Sequence, residues 1–180
     1  MRPFKLLTLS MVLALAAVMG CAHTNTESPE VASSIRNSLD QAGLRDVHVN
    51  QDRDKGVVTL SGQVPSDDDK QRGEAIAKSI ATGEVVANEV GVVPPNDSDA
   101  KTINSDLDNA IAKNLDAALI QNGLNKAVKY DVKNGVITLR GKVNSASKRF
   151  EAQHVAASIP HVQQVVNELD VRDQKATSTD

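Results

Sequence analysis

The chain has 180 residues, with 20 Lys and Arg against 23 Asp and Glu and 2% aromatic residues. A formal charge of −3 lacks the basic excess of a nucleic-acid binder, and one Tyr, two Phe and no Trp leave little surface for base stacking or sugar binding. A single Cys excludes an internal disulfide.

Arg2 and Lys5 precede an apolar run from Leu6 to Met19 that is too short to cross a bilayer comfortably. The run ends in Val18-Met19-Gly20-Cys21, which resembles the lipobox of bacterial lipoproteins. Residues 1–20 are therefore expected to be a signal peptide and Cys21 the lipidated residue; the alternative is an ordinary secretory leader followed by a chance Cys. A multiply acylated Cys anchors stably, since two or more chains hold where one is marginal. Ala22 rather than Asp follows it, which is similar to outer-membrane sorting in Gram-negative lipoproteins. Residues 21–28 read as a polar tether. Loss of Arg2 and Lys5 leaves 18 basic against 23 acidic side chains, a formal charge of −5, and loss of Phe4 leaves Tyr130 and Phe150 as the aromatic residues.

The rest of the chain is written twice. "GVVTLSGQV" from Gly56 returns as "GVITLRGKV" from Gly135, 79 positions on, and "VANEV" (86–90) returns as "VVNEL" (165–169) at the same offset. "AGL" (42–44) and "NGL" (122–124) match at an offset of 80. The organisation expected is a first domain over 29–93, a linker over 94–104, a second domain over 105–172 and a tail over 173–180.

Each copy opens with a helical stripe, Val31, Ile35, Leu39 and Ala42 in one and Leu107, Ile111, Leu115, Ala118 and Leu119 in the other. Ser28-Pro29 and Ser105 look like the helix starts. A β-hairpin follows, with Val128, Tyr130 and Val132 alternating, Asn134-Gly135 as a type I′ turn, and Ile137, Leu139, Gly141 and Val143 alternating again. A second helix is expected from 66–69 or 145–147, burying Gly73, Ile76, Ala77 and Ile80, or Ala152, Val155, Ala156 and Ile159. A last strand carries Val86, Asn88 and Val90, or Val165, Asn167 and Leu169. The crossover makes this strand parallel to the second, with both helices on one face. The fold class is α+β: two tandem two-layer αββαβ domains, each a three-stranded mixed sheet under two helices.

The Gly-Val-x-x-Leu-x-Gly-x-Val strand, the helix after it and the Val-x-Asn-x-aliphatic strand resemble the BON domain of bacterial envelope proteins. Two such domains behind a lipidated Cys resemble the dual-BON outer-membrane lipoproteins and, more distantly, the osmotically inducible periplasmic proteins. The resemblance implies a non-catalytic role in envelope integrity and, in some members, binding of anionic phospholipid through the second domain. By position, contact through the first helix of that domain nominates Lys113 and Ile120; the family's bulky aromatic contacts are absent from this helix.

The copies differ in charge: residues 29–93 carry 7 basic and 11 acidic side chains, residues 105–172 carry 9 and 7. Strand parity turns Lys129, Lys133, Arg140 and Lys142 away from the helices, where the first copy has Asn50, Asp54, Ser61 and Gln63. Lys126 adds to this basic face. It either meets anionic headgroups, at about 1 kcal/mol per cation, or is solvated or packed on the acidic first copy. Ile120 and Phe150 lie off the buried stripes, where the first copy has Asp40 and Gln71.

The four His lack metal-ligand spacing, and "SDDDK" (66–70) fits a helix cap better than a cation loop. Asn88 and Asn167 read as structural, bonding nearby backbone, and Gly62 and Gly141 as sites of close helix approach or a bend. No nucleophile–base pair, cofactor motif or catalytic residue is visible. The expectation is a non-enzymatic lipoprotein on the periplasmic face of the outer membrane, binding anionic phospholipid or envelope partners through its second domain. The alternative is a stress or chaperone-like protein that binds protein clients and is tethered only for localisation.

Overall fold

A computed structural model describes residues 27–95, 97 and 99–172; the expected leader, Cys21 and the expected tail lie outside the described residues. The first repeat runs α1 (Ala32–Gln41), β1 (Val47–Asp52), β2 (Val57–Val64), α2 (Asp67–Ile80), β3 (Val85–Asn88) and β4 (Gly91–Val92). The second runs α3 (Ala100–Gln121), β5 (Val128–Lys133), β6 (Val136–Val143), α4 (Ala146–Ala157), β7 (Gln164–Asn167) and β8 (Asp170–Val171).

Both repeats have the expected topology. β1 pairs antiparallel with β2, and the chain crosses through α2 so that β3 pairs parallel with β2, Val57 opposite Val85. β5, β6 and β7 repeat this, with Val136 opposite Gln164. The last strand is broken: β4 and β8 continue on the same edge in unchanged register, so each sheet has four segments where three strands were expected.

The break lies opposite Gly62 and Gly141, whose φ values are +110° and +127°. A Cβ on Gly62 would stand 2.0 Å from the Asp46 carbonyl oxygen, and one on Gly141 2.3 Å from that of Ala127. The close neighbour is therefore the backbone entering the adjacent strand, not a helix.

The apolar stripes decide the packing. Ile35, Leu39, Leu44, Val58, Leu60, Ala77 and Val86 form one core, and Ile111, Leu115, Leu119, Ile137, Leu139, Ala152 and Ala156 the other. Fully burying an aliphatic side chain of this size contributes about 1.5–3 kcal/mol, so each domain carries its own core. Asn88 and Asn167 tie helix to last strand: Asn88 Nδ2 donates to Glu74 Oε2 (2.9 Å) and the Lys70 carbonyl (3.3 Å), and Asn167 Nδ2 to Gln153 Oε1 and the Arg149 carbonyl (both 3.1 Å).

Ser66 and Ser145 cap α2 and α4 as expected, accepting from the amides of Asp69 and Lys148 (both 3.2 Å). The other two helix starts differ from expectation. Ser28 donates its amide to the Arg53 carbonyl (3.0 Å) and so lies against the hairpin, while Gln51 Oε1 takes the amides of Val31 and Ala32 (3.0 and 3.3 Å) and starts α1 there. α3 begins inside the expected 94–104 linker, because Asp97 Oδ1 accepts the amides of Asp99 and Ala100 (both 3.1 Å) and Ala100 is buried. Ser105 is thus inside the helix. Asp108 instead holds the hairpin turn, accepting from the amides of Asn134 (2.7 Å) and Gly135 (2.9 Å), both at positive φ as a type I′ turn requires.

Candidate functional site

The faces of the two sheets that carry no helices meet each other. On β2 and β6, Val57 and Val136 point opposite to the core residues Val58 and Ile137, yet they are buried together with Ala87 and Val166 in a third apolar cluster between the domains. β3 lies alongside β7. Here the Gln164 side chain acts as a missing strand partner: Oε1 accepts the Asn88 amide (3.2 Å) and Nε2 donates to the Val86 carbonyl (2.8 Å). Asn134 Nδ2 donates to the Glu89 carbonyl (2.7 Å), Lys70 Nζ to Gln163 Oε1 (3.0 Å), and Lys55 pairs with Asp170.

This contact divides the expected basic face. Lys133 lies at the hairpin end and pairs across the junction with Glu89 (3.6 Å), whose side chain is only 12% exposed. Arg140 pairs within its own domain with Glu168 (2.8 Å), 9% exposed. Both cations line a cleft of about 340 Å³ between the sheets, with Asp52, Asp131 and the two glutamates. Burial pushes the Glu89 carboxyl above its usual range, Lys133 and Arg140 pull it back, and Asp131 pushes it further up. A second cavity of about 230 Å³, where α3 passes the first domain, is lined by Asp67, Lys70, Asn104, Asp108, Asn134 and Gln163. Burial lowers the pKa of Lys70 there, against the attraction of Asp67, Glu74 and Asp108.

The remaining nominated residues are divided between the two layers of the second domain, Lys129 and Lys142 on the strands and Lys113 and Ile120 on α3. Lys129 stands opposite Arg140 on the outer face, and Lys142 follows two residues along β6, opposite Asp170 of β8, whose carboxyl the Lys55 hydrogen bond holds low with help from the charge of Lys142. Lys126 is in the exposed connection from α3 to β5, beside the strand end that carries Lys142. Ile120, 53% exposed, closes α3 just before that connection, with Lys113 two turns earlier on the same helix face. Lys113, Lys126, Lys129 and Lys142 are exposed and enter no ion pair among the described residues. Exposed Asp116 shares the helix face of Lys113 and Ile120. Phe150 is 70% exposed on α4, against the ring of His154 (centroids 6.5 Å apart).

Gln164, Glu89, Glu168 and Asp170 were not singled out from sequence, and Asn134 was read only as a turn residue. One signal for the docking face was present: "GVV" and "GVI" put a valine on the outer face of an otherwise alternating strand in both copies.

The BON domain model matches residues 28–94 and again 107–173. The chain belongs to the BON domain family. It is similar to Osmotically-inducible protein Y of Escherichia coli (strain K12), 24% identical over 136 residues, 74% of this chain and 67% of that protein. Two solved structures of CdsD, a structural protein of the type III secretion system of Chlamydia trachomatis, are 15% and 16% identical over 78% and 79% of this chain. They are covered over 67% and 62% of their own lengths at a TM-score of 0.34, too low to carry an argument.

No group of three or more His, Cys, Asp or Glu among the described residues is placed to hold a metal ion. No described helix is long and apolar enough to cross a membrane.

Proposed function

We propose that the protein is a non-enzymatic component of the bacterial envelope whose second BON domain contacts anionic phospholipid headgroups through its exposed cations Lys113, Lys126, Lys129 and Lys142 and through Ile120. The observation that carries this reading is the exposure of these four cations, without ion pairs among the described residues, in the same domain as an exposed Ile120. Cations near an anionic bilayer each contribute about 1 kcal/mol, and a single aliphatic side chain reaches the headgroup boundary without deep insertion. Lys133 and Arg140 are left to the domain junction and to Glu168. Lipidation of Cys21 would hold the chain at the periplasmic face of the outer membrane and raise the local concentration of the site. The similarity to a protein named for osmotic induction supports a role under envelope stress.

The test is co-sedimentation of residues 22–180, without acyl chains, on phosphatidylglycerol and phosphatidylcholine vesicles. Wild type is expected to pellet on the anionic vesicles alone, and less as salt rises. The triple variant Lys126→Glu, Lys129→Glu and Lys142→Glu should lose about 3 kcal/mol, about a hundredfold in affinity. Equal pelleting of variant and wild type would contradict the reading, and salt-independent pelleting would favour capture of protein clients or apolar surface.

A further inference from the structure

The domain junction is built from corresponding residues of the two repeats. Val57 and Val136, and Ala87 and Val166, are each 79 positions apart, and the four form one cluster. Lys55 reaches Asp170. Asn134, the counterpart of Lys55, packs on Gly91, the counterpart of Asp170: its side-chain atoms lie 3.2–3.5 Å from where a Cβ of Gly91 would stand. A surface in which residue i meets j while the counterpart of i meets the counterpart of j is two-fold in kind.

We infer that both repeats carry one and the same two-fold docking surface, and that Gln164 and Lys133 decide which repeat clasps which. Glu89 N–H and Val85 N–H point inward to β2, bonding the carbonyls of Leu60 and Gly56, so the Asn88 amide faces outward from the sheet edge, where its acceptor is Gln164. The counterpart of Gln164 is Val85, which offers nothing to the Asn167 amide on the facing edge. Under this two-fold, the counterpart of the Lys133–Glu89 pair would set Asp54 against Glu168, two like charges. Arg140, where the first repeat has Ser61, pairs with Glu168 and relieves this. The second repeat thus supplies the clasping side chains and the first supplies their acceptors. Two copies of the first repeat would meet with Asp54 against Glu89 and without a Gln on either edge. The excess of positive charge in the second repeat is in this part a docking device, separate from the lipid-facing cations.

The experiment is residue-resolved hydrogen exchange on the full chain. In wild type the Asn88 amide is expected to be protected and the Asn167 amide to exchange freely. The double variant Val85→Gln with Gln164→Val should reverse this, speeding exchange at Asn88 and slowing it at Asn167, each by about tenfold or more, while core amides such as those of Val58 and Ile137 stay protected. Unchanged exchange at Asn167 overturns the two-fold surface. Asp54→Lys, on the exposed hairpin, asks the same question without touching an edge strand: a cation placed against Glu168 should slow Asn88 exchange, and an unchanged or faster rate overturns the inference. Neither measurement involves lipid, so its failure is distinct from a failure to bind vesicles.

Discussion

Gly62 and Gly141 sit where two constraints coincide, a left-handed backbone and a neighbouring carbonyl with no room for a side chain. Either constraint alone disfavours a Cβ; together they make each glycine a point at which the fold can be broken by one methyl group. Gly62→Ala or Gly141→Ala is expected to lower stability by about 2–4 kcal/mol in urea unfolding. The same change at Gly73, whose added Cβ would make ordinary contacts at 3.6 and 3.7 Å, should be far milder. The repeated glycine was visible in both copies of the sequence phrase. Its neighbour was not, because Asp46 and Ala127 are brought against it only by the pairing of a different strand.

Periodicity made the elements legible. Spacing of 3.6 in Ile35, Leu39 and in Ile111, Leu115 gave the helices, alternation gave the strands, and Asn134-Gly135 gave the turn. Ser66 and Ser145 were readable because a cap within one helix is local. The starts of α1 and α3 were not, because they are decided by groups outside the helices. Gln51 reaches in from β1 for one, and Asp97, Ala100 and Asn104, which bonds the Val92 carbonyl (3.4 Å), attach the other to the first domain. Parity likewise put Lys129, Lys133, Arg140 and Lys142 on one face, but could not say which would find a carboxylate, since Glu89 and Glu168 come from the break in the last strand of each domain.

At the scale of the whole molecule, docking sets Lys133 at the junction while Arg140 pairs with Glu168, apart from Lys113, Lys126, Lys129 and Lys142, which enter no ion pair among the described residues. The junction holds a part-buried carboxyl, and this gives it a pH dependence. Because burial raises the pKa of Glu89 above its ordinary 4.5, the ionised form disfavours the docked state, and that penalty vanishes as pH falls through the folded value. Lys133 opposes the shift, while Asp131 adds to it and Arg140 reduces it. Lys133→Met should therefore lower Tm at neutral pH, with the difference from wild type shrinking as pH falls and gone below 4.5. A difference that persists in acid would mean that Lys133 acts through packing rather than charge. For the exposed cations, the most direct measurement is hydrogen exchange of residues 22–180 with and without phosphatidylglycerol vesicles. Slowed exchange confined to the end of α3, the connection through Lys126, and the strand ends at Lys129 and Lys142 is the expected result. Slowing centred on the first domain, or none at saturating vesicle concentration, would contradict headgroup contact by the second.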